Sequence, residues 1–403
     1  MDYRFRPSPS VSALVVVSAA FFTDTLLYYI LVPLLPYYQR SYQLSQTDIG
    51  ILFGCYAASL LIGTIPIGKL GDIVGRRKMM LWGLVGLWGT TLLFAFANSF
   101  SLLVFARILQ GLSATATWTS GMALVADHWP ARHRGKAMST CFAFANLGVL
   151  IGPPFAGYVS ENWGVRAPFI AAAALAIIDA ILRVWLLQDK PKEYVEIIPL
   201  KKLLKNRDIS LYVGVMALGS GLWATLESIL PVDFDSRGWS QSAIGLSFAF
   251  AALAHTLTSP LAGAMADKFS RKKMVFVGLL LTTFLLPSPV FVFGQAPTFA
   301  VMIGLGLVAT LISSPVSPAV TSAVDRMGVG GGGYSSAFGM LNLSYAVGML
   351  IGPLLGGIGV DLIGLKPTMM VFGLGFGTYA LIIWRFLSDE GRSSLTQESQ
   401  TAP

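Results

Sequence analysis

Charge is what this chain has least of. Of its 403 residues only 12% are charged, while 54% are hydrophobic. Soluble domains carry roughly 25% charged residues, so this chain cannot cover a water-facing globule and lipid must contact much of it. Cysteine is scarcer still: Cys55 and Cys141 fall inside long apolar runs, where a thiol acts as a small filler, and no disulfide is expected. The three histidines, His128, His133 and His255, form no metal-ligand pattern, and no nucleophile–base motif accompanies them. An enzyme, a metal site and a cofactor are therefore not expected. Gly330 to Gly333 lacks the Gly-Lys-Ser/Thr of a phosphate loop and reads as a flexible connection. No Asn-x-Ser/Thr sequon lies in a predicted outward loop, since Asn342-Leu-Ser344 falls within an apolar run.

What the chain has instead is long hydrophobic runs. A helix rising about 1.5 Å per residue needs about 20 apolar residues to cross ~30 Å of hydrocarbon. Runs of that kind lie near 11–36, 48–68, 79–97, 101–124, 137–159, 166–187, 209–232, 241–262, 274–294, 297–323, 335–358 and 367–387. The first is too long for a signal-peptide core and no small-residue cleavage pattern follows it, so it reads as a retained helix. The fold class is thus all-α integral membrane with twelve spans. The net charge of +8 sits in alternate connections, including Arg4, Arg6, Lys69, Arg76 to Lys78, Arg132, Arg134, Lys136 and Arg271 to Lys273. That distribution sets topology rather than binding nucleic acid, and it places both termini in the cytoplasm.

The runs fall into two similar sets of six. Gly68-Lys-Leu-Gly-Asp72-Ile-Val-Gly75-Arg76-Arg77-Lys78 returns about 195 residues later as Gly263-Ala-Met-Ala-Asp267-Lys-Phe-Ser-Arg271-Lys272-Lys273. Gly148-x3-Gly152-Pro153-x3-Gly157 returns as Gly348-x3-Gly352-Pro353-x3-Gly357, and Asp127 is echoed by Asp325. Offsets this regular indicate duplication. The organisation expected is a six-helix half over 1–187, a polar cytoplasmic linker over 188–208, a second half over 209–387, and a disordered polar tail over 388–403.

These motifs resemble the major facilitator superfamily, whose basic loop joins helices 2 and 3 and recurs in degraded form between helices 8 and 9. The resemblance implies two pseudo-symmetric halves with cargo bound between them near the midplane. It also implies a latch at the cytoplasmic face formed by Gly68, Asp72, Gly75 and Arg76, with Asp267 and Arg271 in the second copy. Asp72 is placed to face the positive end of a neighbouring helix, with Arg76 as local counter-charge. Gly148, Gly152, Pro153, Gly348, Gly352 and Pro353 read as packing and hinge positions that allow close backbone approach. A Gly-rich, Pro-containing helix 5 is the superfamily's signature of antiporters.

Four ionisable residues within the runs stand out: Asp24, Arg107, Asp179 and Glu227. Each costs roughly 2.5–3.5 kcal/mol to insert. A carboxylate facing a cavity can bind a cation or a proton in its place, which is the simplest chemistry for exchange. Asp24 and Glu227 lie in helices 1 and 7, which line the cavity in this superfamily. Arg107, in Arg107-Ile-Leu-Gln110-Gly111, resembles the helix 4 motif linked to proton transfer. It reads either as a movable partner of Asp24 or as a fixed ion pair. Asp179 and Arg183, four apart, can neutralise each other on helix 6, a helix expected at the periphery.

Thr23-Asp24-Thr25-Leu-Leu, Val32-Pro33-Leu-Leu-Pro36 and Leu226-Glu227-Ser-Ile-Leu-Pro231 look like the vesicular monoamine branch of the twelve-helix drug:proton antiporters. That resemblance implies proton-coupled export of a small, cationic or amphipathic substrate by a monomer, with Asp24 and Glu227 recognising the amine, while the short connection after helix 1 points to the plasma membrane. Tyr28, Trp118, Trp223 and Phe142 could offer π-faces to it, His255 a proton relay, and Ser313, Ser314, Ser317 and Thr321 hydroxyls. The pattern departs from the branch where a helix 2 lysine is replaced by Tyr56, and where acids of helices 10 and 11 are replaced by Ser313 and Asn342. The long loop after helix 1 is also missing. A neutral or zwitterionic cargo such as a sugar or amino acid, or a receptor-like protein without turnover, are the alternative readings.

Overall fold

The computed structural model describes residues 8–186, 199–328 and 330–388. Twelve of its helices are long and apolar enough to cross a bilayer. They are α1 (Pro9–Tyr42), α2 (Gln46–Val74), α3 (Arg76–Phe96), α4 (Phe100–His128), α5 (His133–Trp163), α6 (Ala167–Leu186), α7 (Arg207–Ser236), α8 (Gln241–Ala266), α9 (Arg271–Val290), α10 (Gln295–Arg326), α11 (Ser336–Ile363) and α12 (Leu365–Phe386). Among the described residues there is no strand, as a chain that satisfies its backbone inside lipid with helices requires. The twelve apolar runs become these twelve spans.

The helices overrun their apolar windows because they keep their backbone bonds through the headgroup region, where polar residues start and stop them. Ser45 and Asp48 form a reciprocal capping box at the start of α2. The hydroxyls of Ser99, Ser240 and Ser270 accept an amide three residues on at the starts of α4, α8 and α9. The segment over 68–78, expected as a loop, is helical except at Gly75, whose φ of 101° turns the chain between α2 and α3 in a single residue. Likewise Gly330 to Gly333, expected as a flexible connection, begins the helix that becomes α11. Within the expected linker, residues 188–198 lie outside the described set, as do Arg4, Arg6, the side chains of Arg132 and Asp267, and 389–403 of the tail. Leu200–Leu204 forms a short helix before α7. Prolines break three spans: α1 tightens to a 3₁₀ turn over Val32–Leu34, α9 does so over Ser288–Val290, and α10 is interrupted between Ser313 and Val316.

The two Gly-x3-Gly-Pro segments bring backbones together in matching ways. A Cβ on Gly148 would lie 2.7 Å from the Phe22 carbonyl oxygen of α1, and one on Gly348 would lie 2.0 Å from that of Ala217 in α7. Gly152 and Gly352 face the same two helices. Across the halves, a Cβ on Gly50 of α2 would sit 2.4 Å from the Pro353 oxygen, and one on Gly245 of α8 would sit 2.3 Å from the Pro153 oxygen. Thus α5 and α11 are each wedged between a helix of their own half and one of the other, with no room for a side chain at the crossing.

One turn past these crossings, at the end of the bundle away from the basic connections, the halves are tied by charge. Asp361 of α11 accepts the backbone N–H groups of Gln46 (3.1 Å) and Thr47 (2.8 Å) at the start of α2. Glu161 of α5 does the same at the start of α8, accepting from the amide of Ser242 at 3.0 Å and from its hydroxyl. Each carboxylate therefore meets the positive end of a helix from the opposite half. Arg40 pairs with Asp235 beside them, and the Gln46 side-chain Nε2 donates to the Ser228 carbonyl at 2.6 Å.

If each carboxylate contributes about 0.7 kcal/mol, losing both shifts closure by roughly tenfold. In a Cys55→Ala/Cys141→Ala background, spin labels on Ser41→Cys and Ser236→Cys should report a short distance. Adding Glu161→Gln and Asp361→Asn should enlarge the separated population about tenfold. An unchanged distribution would show that the two carboxylates do not hold this end together.

Candidate functional site

Where the helices diverge below that closed end, they enclose a cavity of about 230 Å³. Its lining comes mainly from α7, α8 and α10, with Tyr29 of α1, Asn146 of α5 and Tyr345 of α11 completing the wall. Of the residues singled out in the sequence, Glu227, Trp223, His255 and Ser313 line it. The orientation of α7 follows from packing: Gly221 and Thr225 face α11, which turns Glu227 toward α1. Its side chain is buried, at 2% exposure. The Tyr28 hydroxyl donates to Glu227 Oε2 at 3.4 Å, and Tyr29 lines the same cavity. Trp223, Phe248 and Tyr345 add aromatic surface, so one acid stands among rings, an arrangement suited to an organic cation. Across the cavity the His255 Nε2 and Ser313 Oγ lie 3.2 Å apart. The break in α10 follows Ser313 directly.

Asp24 does not share this space. Its carboxylate accepts the indole N–H of Trp118 at 2.6 Å, and the Trp118 ring stacks on Phe21 with centroids 3.9 Å apart. Phe142 leans on the same indole, 6.0 Å away. Asp24, Trp118 and Phe142 thus form a separate locus between α1, α4 and α5, inside the N-terminal half.

The expected pairing of Arg107 with Asp24 is corrected. Arg107 stands eleven residues from Trp118 on α4, ~16 Å along the helix axis. Its Nη1 donates to Gln110 Oε1 at 2.9 Å. Its guanidinium lies over the rings of Tyr28 (4.8 Å), Phe53 (5.1 Å), Tyr56 (5.6 Å) and Phe94 (5.6 Å). Tyr56, at the position where the resemblance put a lysine, is therefore part of an aromatic cage around this cation.

The Asp179–Arg183 pair forms as its spacing predicts, with Nη2 to Oδ2 at 2.6 Å, but not at the periphery. Arg183 has no exposure and Asp179 only 2%. Arg183 also donates to the Met80 carbonyl at 2.7 Å and to the Thr117 hydroxyl at 3.5 Å. Helix α6 turns these two residues inward against α3 and α4, beside the Trp118 that holds Asp24.

The remaining candidates separate by position. Asn342 lies on α11 one turn before Tyr345 and is exposed. At the basic end, Arg76, expected beside Asp72, reaches Asp127 of α4 at 3.1 Å. Arg271 matches it in the second half by donating to the Ser322 hydroxyl at 2.8 Å and the Pro318 carbonyl at 3.2 Å of α10. Ser322 stands 195 residues after Asp127, the same offset that separates Arg271 from Arg76. Gly68 has open space at its Cβ position, and Asp72 lies in the last turn of α2. Tyr29, Asn146 and Tyr345 were not singled out in the sequence. Polar atoms within apolar runs were the available signal for all three, but only rotation of the helices shows which of them face inward.

Breaking a buried ion pair by removing one partner costs about 3–5 kcal/mol, whereas replacing both with apolar groups is close to neutral. Asp179→Asn should therefore lower the thermal midpoint of the purified protein sharply. The paired change Asp179→Leu with Arg183→Met should recover most of the loss. A single mutant that melts like the wild type would show that the pair adds nothing to stability.

Comparison with known proteins agrees with this architecture. The family model described as Major Facilitator Superfamily matches residues 17–237 and again 211–402. The human chromaffin granule amine transporter is 30% identical over 368 residues, covering 89% of this chain and 69% of that protein. The mouse synaptic vesicular amine transporter is 28% identical over 338 residues, covering 81% of this chain and 64% of its own length. The chain thus spans about two thirds of these relatives. An uncharacterised transporter of the same superfamily from Schizosaccharomyces pombe is 28% identical, with 85% of this chain and 88% of that protein covered. Among solved structures, a bacterial homologue of the human lysosomal transporter Spinster, in an inward-facing and unoccupied conformation, superposes with a TM-score of 0.76 at 15% identity. The match covers 96% of this chain and 98% of that one.

Proposed function

The chain belongs to the major facilitator superfamily, in its vesicular amine transporter-like branch, and from that premise we propose that it exchanges protons for small organic cations by alternating access. The observation that carries this reading is Glu227, a carboxylate at 2% exposure in the wall of a cavity otherwise lined by rings, aliphatic groups and neutral polar side chains. An ionised acid there is expensive unless a cation meets it. A protonated amine or a proton can each do so, and one displaces the other. That competition is the coupling. The volume of about 230 Å³ lies below the ~300–1,000 Å³ usual for drug-sized ligands, which favours a compact amine over a bulky drug.

Other residues take supporting parts in this account. Trp223 and Tyr345 face the cation. His255 and Ser313 form a polar contact on the far wall. Asp24, held by Trp118, serves as a second acid that takes up a proton within the N-terminal half. The ties of Arg76 to α4 and of Arg271 to α10 steady the basic end, alongside Asp72 and Asp267, while Gly148, Gly152, Pro153, Gly348, Gly352 and Pro353 guide sliding of α5 and α11. The positive-inside rule puts that end and both termini in the cytoplasm and makes the cavity an inward-facing one, in the cell membrane. Export follows, with protons as coupling ion and the monomer as working unit.

Purified protein in liposomes with an imposed pH gradient and a labelled lipophilic amine tests the reading. Wild type should accumulate amine in response to the gradient, and Glu227→Gln should lose at least tenfold of the rate, the loss expected for removing one charge partner worth about 1.4 kcal/mol or more. Full gradient-driven uptake by the mutant would remove Glu227 from recognition. Absence of amine uptake by folded wild type would move the cargo to a neutral or zwitterionic metabolite.

A further inference from the structure

Arg107 is a cation near the middle of the bundle with no exposed surface. One of its nitrogens donates to Gln110, while Nε and Nη2 have no hydrogen-bond partner among the described residues. Four aromatic rings surround it, and their negative faces attract a guanidinium without neutralising it. All four rings belong to the N-terminal half, and three of them end there. Tyr28 differs, because its ring lies 4.8 Å from the guanidinium and its hydroxyl reaches across to Glu227 Oε2 at 3.4 Å. A fixed cation and a cavity acid are thus joined through one phenol that spans the two halves.

We propose that Tyr28 is a positioning residue through which the buried Arg107 cation stabilises the ionised form of Glu227. A cation over the ring face withdraws electron density from the phenol and makes its O–H a better donor. The carboxylate needs that donor when proton and cargo have both left, and does not need it when either is bound. Because Tyr28 rides on α1 and Glu227 on α7, the bond also ties the charge state of the acid to the relative position of the halves. Facing Glu227 from the neighbouring elements are Tyr29 of α1, Tyr345 of α11 and His255 of α8. Among these groups and Arg107, only Arg107 carries a charge that is positive at every working pH. The inference rests on Glu227 being the cavity acid of the proposed exchange, but its test needs no cargo.

Infrared titration of the protein in nanodiscs, with the Glu227 carboxyl band identified by its loss in Glu227→Gln, reads the proton directly. Tyr28→Phe keeps the ring and removes the donor, so the band should titrate about one pH unit higher than in wild type, the shift that matches loss of one charge-assisted hydrogen bond. Tyr56→Phe, which alters the same cage without touching Glu227, should titrate as wild type. Arg107→Gln should also raise the midpoint, and by less in the Tyr28→Phe background than alone. A Tyr28→Phe band that titrates like wild type would overturn the proposal, as would equal shifts from Tyr28→Phe and Tyr56→Phe, or fully additive shifts from Arg107→Gln and Tyr28→Phe. If Arg107→Gln does not fold, the comparison of the two tyrosine variants decides alone. Failure of amine transport with these shifts intact would count against the cargo and not against the role of Tyr28.

Discussion

Backbone-to-backbone contact at α5 and α11 is the constraint on which the rest depends. Without a hydrophobic drive between helices in lipid, close packing across small residues must supply the association, and here it occurs at glycines facing both halves. The contact sets the rotation of α1, α2, α7 and α8 around these two helices. It brings Glu161 and Asp361 within reach of the opposite helix starts. It also fixes which side of α7 faces the cavity, so that Glu227 follows from Gly221 and Thr225.

Burying charge is costly, and the chain answers that cost in different ways. Asp179 and Arg183 satisfy each other bidentately and are further held by Met80 and Thr117, which is the form a permanent structural pair takes. Asp24 is met by a single neutral donor, Trp118. Arg107 is met by rings and one amide, and Glu227 by the Tyr28 hydroxyl. Groups answered only by neutral partners are the ones free to change partner or charge.

The twelve spans and the duplicated motifs were legible because hydropathy and repeat spacing are properties of the chain alone. Glu227, Trp223 and Ser313 were legible as cavity residues because a polar or aromatic group inside an apolar run on helices 7 and 10 has few other uses. Partnership was not legible. Arg107 and Asp24 looked like a pair because both are ionisable and intramembrane, yet position along α4 and the intervening Tyr28 separate them. Asp179 and Arg183 could be paired by spacing, but the inward rotation of α6 depends on its packing against α3. Glu161 and Asp361 continue the same 200-residue offset as the glycines before them. That signal was present in the repeat and became meaningful only when the helix starts they cap were placed. Gly75 was part of the motif, but the continuity of helix on both sides of it reflects packing against α4 rather than local propensity.

The central claim is that one buried acid holds either a proton or a cationic cargo. The most direct measurement is proton release on binding: a lipophilic amine added to purified protein in weakly buffered solution, with bound amine and released protons both counted. The account predicts close to one proton released per amine bound under conditions where the free acid is protonated, with release lost in Glu227→Gln. Saturable amine binding by wild type without proton release would contradict it.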